Sequence, residues 1–86
     1  MIPAEMVMGF LSAAKSNNKR VKITVAGEGV FKGKMQDVKM EDKVITIDLE
    51  GKQIVMDMNV CEAKTSFFDH RVIYVQGEEQ YKLQLG

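Results

Sequence analysis

The chain changes its hydrophobic period once, near its start, and the change separates a helix from a run of strands. Over residues 2–16, Val7, Phe10, Leu11 and Ala14 fall at i, i+3, i+4 and i+7, one stripe of a helix, which Met6 widens. Pro3 suits the first helical position, where a missing N–H costs nothing. Ser16, Asn17 and Asn18 end the helix, because short polar side chains compete with its backbone hydrogen bonds. From Lys19 the period is two: Val21, Ile23 and Val25 alternate with Arg20, Lys22 and Thr24.

Gly27-Glu28-Gly29 then predicts a hairpin turn, two glycines permitting positive φ. A long strand follows over residues 30–40, marked by Phe31, Met35 and Val38, with Gly33 in its interior. A glycine there marks a sharp bend, the device by which a small barrel turns a corner. Polar turns at 40–43 and 50–52 flank a third strand at 44–49, and 53–58 and 60–65 read as a fourth and a fifth. Residues 66–69 read as a loop holding Phe67 and Phe68. Residues 70–76 and 80–85 read as a hairpin around Gly77-Glu78-Glu79. The expected fold is mostly β with one N-terminal helix: a single domain over 1–86, with a helix at 2–16, a bent five-stranded antiparallel meander at 19–65 and a C-terminal hairpin extension at 66–86.

A length of 86 residues leaves room for one core, and 45% hydrophobic residues can fill it. A domain this short buries only roughly 60–65% of its unfolded surface, so self-association would add stability. Twelve basic residues balance twelve acidic ones. A protein that coats DNA in bulk usually carries a basic excess, so zero net charge directs attention to a local groove. The single Cys61 forms no internal disulfide and reads as a small buried hydrophobe on a strand. The sequence shows no apolar run of membrane-spanning length, and a cytoplasmic setting without a secretory leader is expected.

No catalytic constellation is visible. His70 is the one histidine, set between Asp69 and Arg71, and no Gly-x-Ser-x-Gly, HExxH or CxxC occurs. Neither a metal nor another cofactor is expected. Gly27-Glu28-Gly29 has no helix after it and reads as a turn, not a phosphate loop.

The order of elements, with Val21-x-Ile23-x-Val25, Phe31-x-Gly33-x-Met35-x-x-Val38 and Val44-Ile45-Thr46-Ile47, resembles the Sm, LSm and Hfq family. The resemblance covers residues 2–65 and is that of a divergent member, of phage or marine metagenomic kind. It implies an Sm-like barrel of SH3 type that assembles as a homo-oligomeric ring of about five to seven subunits. It also implies binding of short single-stranded RNA or DNA, with a part in its processing. Val38 replaces the family's aromatic, Lys39 its aspartate and Lys43 its asparagine, and the second motif's basic pair would fall near Met58 and Asn59, where it is missing.

In such a ring two turns of each subunit line the pore, and here they hold Lys39, Asp42 and Lys43, and Met58 and Asn59. Ring symmetry would multiply the lysines, Asn59 would read a base edge and Met58 would support a base. Lys19, Arg20 and Lys22 form a second basic strip. Phe67 and Phe68 suit a seam between subunits. Two other readings are a sponge for small cyclic nucleotides, binding between subunits, and a protein-interaction module using its sheet edge.

Overall fold

The computed structural model describes residues 2–65 and 71–85. Its helix α1 spans Ala4–Ser16 and buries Ala4, Val7, Leu11 and Ala14, while Phe10 is half-buried and Met6 stays exposed. The helix stops in a Schellman arrangement: Lys19 N–H donates to Ala14 O at 2.9 Å and Asn18 N–H to Lys15 O at 3.1 Å. Asn18 supplies the left-handed residue this needs, at φ 58°.

Seven strands follow: β1 Arg20–Val25, β2 Gly29–Glu41, β3 Val44–Leu49, β4 Lys52–Asp57, β5 Cys61–Thr65, β6 Val72–Gly77 and β7 Gln80–Leu85. They form one antiparallel sheet in the order β4-β3-β2-β1-β7-β6-β5. Strand β2 belongs to two halves of it. Residues 29–34 pair with β1 and residues 35–41 with β3, and the register shifts between Met35 and Asp37. Gly33, at φ 151°, adopts a backbone that a side chain would strain just before that bulge.

The C-terminal hairpin is not an extension added to a finished meander. β7 pairs with β1 and β6 with β5, so the hairpin lies between the first and the last strand of the expected meander. The physical reason is its inward face: Ile73, Val75, Tyr81 and Leu83 are all buried, which requires the hairpin to complete the core. The sheet edges β4 and β5 are joined by the three-residue turn 58–60, which curls the sheet back on itself into a barrel-like form. Ile2 N–H donates to Ala63 O at 2.8 Å and covers part of the β5 edge.

Ile23, Ile45, Ile47, Met56 and Leu83 meet Val7 and Leu11 of the helix in one core. Cys61 is half-buried against that core, not enclosed in it. Among the described residues no helix is long and apolar enough to cross a membrane. The expected loop at 66–69 with Phe67 and Phe68, and His70, lie outside the described residues.

Candidate nucleic-acid interface

The β2–β3 turn and the β4–β5 turn sit together. Met58 N–H donates to Lys43 O at 2.8 Å, and Asn59 Nδ2 donates to Asp42 O at 2.8 Å. Asn59 Nδ2 also reaches Asp57 Oδ1 at 2.9 Å, and the Asn59 backbone N–H reaches the same oxygen at 2.9 Å. One amide hydrogen of Asn59 is therefore spent on tying the two turns together and the other on Asp57 within its own turn, and reading a base edge is not open to them. Asp42 and Lys43 occupy the central turn positions at φ 52° and 64°. This is the conformation of a type I′ turn, which glycine or asparagine would adopt at less cost than lysine.

Met58 is half-buried and lines a cleft of about 370 Å³ with Ile2, Pro3, Lys43 and Cys61, and Glu5 and Glu62 share its wall. Lys39 stands apart from this group. It projects from the outer face of β2 opposite Thr46, over a separate cleft of about 290 Å³. The structure thus unites Asp42, Lys43, Met58 and Asn59, whereas Lys39 shares only the second cleft, with Asp42 and Glu41. The neighbourhood also holds Glu41 and Asp57, so the lysines there do not make a positive surface.

Positive charge is concentrated elsewhere, on the outer face of the half-sheet formed by residues 29–34 of β2 with β1, β7, β6 and β5. Residues directly paired across antiparallel strands project to the same side. Arg20 faces Lys34, and two residues along the strand Lys22 faces Lys32. The next row runs Val30, Thr24, Lys82, Tyr74, Lys64 across all five strands. Glu62, in the following row beside Gln76, is the one carboxylate that these strands project on that face. Lys82 Nζ lies 5.9 Å from the centroid of the half-exposed Tyr74 ring, placing a cation beside an aromatic surface.

Like charges directly opposite one another weaken a sheet. Arg20–Lys34 and Lys22–Lys32 are two such pairs in adjacent rows, and none of the four forms an ion pair with another described residue. The other half-sheet has the opposite sign. On the outer face of residues 37–41 of β2 with β3 and β4, Asp37 faces Asp48 directly, and Glu41 and Asp57 lie in the row that contains Val44, with Lys39 between. Within a chain of zero net charge the sheet thus presents one basic face and one acidic face.

The initial strip of Lys19, Arg20 and Lys22 pointed toward this site, but Lys32, Lys34, Lys64, Lys82 and Tyr74 join it only through strand pairing. Alternation in 30–34 and 80–85 was the available signal, since it sets the side to which each side chain points. Comparison with protein-family models, with curated proteins and with solved structures returns no match to this chain.

Proposed function

We propose that this protein binds short single-stranded RNA or DNA without catalysing a reaction, using the basic outer face of β2, β1, β7, β6 and β5. The observation that carries the reading is the stacked pair of like-charge couples, Arg20–Lys34 and Lys22–Lys32, in a chain of zero net charge. Such couples cost stability in the isolated domain, and a phosphate backbone laid across them would turn that cost into attraction. Tyr74, with Lys82 and Lys64 as its cross-strand neighbours, is suited to stacking one base while the cations hold flanking phosphates. A helix ahead of a barrel-like sheet, with β2 bent after Gly33, supports a divergent Sm-like domain. On this reading Lys39 and Lys43 are peripheral, because Glu41, Asp42 and Asp57 surround them.

Fluorescence anisotropy with labelled oligo-U, oligo-A and oligo-dT at low and high salt tests this. Wild type should bind at low salt and weaken steeply as salt rises. Lys22→Glu/Lys32→Glu should lose at least about tenfold in affinity, and Lys39→Ala/Lys43→Ala should stay near wild type. Absence of binding at low salt, or a loss confined to the Lys39/Lys43 variant, overturns the reading. A thermal shift with small nucleotides but none with oligonucleotides would replace it with the sponge, and capture of a protein with neither response would favour an interaction module.

A further inference from the structure

We infer that the acidic outer face of β2, β3 and β4 is a docking surface for the basic outer face of a second copy of this chain. The two faces belong to one bent sheet and carry opposite charge. Asp37 and Asp48 stand directly opposite each other, and the one side-chain hydrogen bond either makes with a described residue is from Gln53 Nε2 to Asp48 Oδ1 at 3.0 Å. Neither carboxylate forms an ion pair with a described residue, nor does Glu41. An adjacent carboxylate pair without a cation costs the monomer, just as the lysine pairs do on the other face. A cationic surface from outside relieves it, and this chain carries one.

Lys39 stands in the row between Asp37–Asp48 and Glu41–Asp57, so the contact sets the Asp37–Asp48 row, and not Lys39, against the Lys22–Lys32 row. Each face also presents one exposed valine, Val55 on the acidic side and Val30 on the basic side, both 49% exposed. Because two different surfaces meet, the contact is heterologous: every added copy leaves one free face of each sign, and the assembly extends or closes as a ring.

Both partners compete for one face. Nucleic acid and the acidic face of a neighbour would occupy the same lysines, so a bound strand would release subunits from one another. This competition rests on the proposed nucleic-acid reading; the self-association does not.

Light scattering on a sizing column, without nucleic acid, reads the self-association directly. Wild type should exceed monomer mass at low salt and return to it at high salt. Asp37→Lys/Asp48→Lys and Lys22→Glu/Lys32→Glu should each be monomeric alone, and their equimolar mixture should form a complex. If the first variant does not fold by circular dichroism, Asp37→Asn/Asp48→Asn replaces it, with reduced self-association expected. A wild-type monomer at low salt, a mass indifferent to salt, or a mixture that stays apart overturns the inference. Adding oligo-U to the wild-type assembly should lower its mass. If oligo-U fails to bind while the charge-dependent assembly forms, the nucleic-acid reading fails and the docking surface stands.

Discussion

The hydroxyl of Tyr81, on β7, stands 3.1 Å from the backbone carbonyl oxygen of Val55, on β4. Those strands are four places apart in the sheet order, and the contact spans the seam where the sheet curls back on itself. Glu79 Oε2 lies 2.7 Å from the same hydroxyl. One proton faces two acceptors, so the hydroxyl donates to one at a time. Burial of the ring, and then the neighbouring Glu79 carboxylate, hold the Tyr81 phenol well above its ordinary value.

Tyr81→Phe keeps the buried ring and removes the seam contact. Its expected cost is about 1 kcal/mol, read as a lower midpoint in chemical denaturation. The pH dependence has a definite sign. The native state keeps its phenolic proton where the unfolded chain loses it, so the contribution is complete below about pH 10 and declines as pH rises beyond it. Stability of Tyr81→Phe should therefore fall less over that alkaline range than stability of wild type.

Gly77 has a different role. A Cβ there would meet Val60 O and would lie 2.7 Å from Cys61 Sγ and 2.8 Å from Cys61 Cα. Two of these atoms are backbone and cannot give way cheaply. Gly77→Ala should cost about 1–3 kcal/mol. Gly9, exposed within α1 with nothing within 4 Å of the added carbon, is the control. Gly9→Ala should stabilise by about 0.5–1 kcal/mol, and thermal melts of the pair should move in opposite directions.

Asn59 ties the β2–β3 turn to the β4–β5 turn through its side-chain amide. Asn59→Asp removes the donors and places a second carboxylate beside Asp57. It should destabilise by about 1–3 kcal/mol, more than an exposed surface change, while oligonucleotide affinity of the folded protein stays near wild type. A selective loss of affinity at unchanged stability would return the binding site to these turns.

Lys43→Gly tests the other side of the same turn. At φ 64° the lysine carries left-handed strain that glycine avoids. The substitution should raise stability by about 1 kcal/mol, seen as a higher denaturation midpoint.

Much of this molecule was readable along the chain, because helix and strand periods are local. The stripe of Val7, Leu11 and Ala14, the alternation of Val21, Ile23 and Val25, and the buried faces at Ile45, Ile47, Ile54 and Met56 all appear in the structure. The bend after Gly33 was legible too, since a glycine inside a long strand has few other uses there. The hairpin partners on either side of each turn were legible as well, but the pairing of β7 with β1 and of β6 with β5 was not. A period records the face on which a side chain lies, and it carries no address for a partner strand distant in sequence. Only the tertiary structure placed β6 and β7 between β1 and β5, and it thereby set Lys82, Tyr74 and Lys64 in line with Thr24. Register likewise decided that Lys22 faces Lys32 and Asp37 faces Asp48, dividing a neutral composition into two charged faces. Asn59 shows the same limit at a single residue: its amide was visible in the sequence, and the packing of two turns determined what it binds.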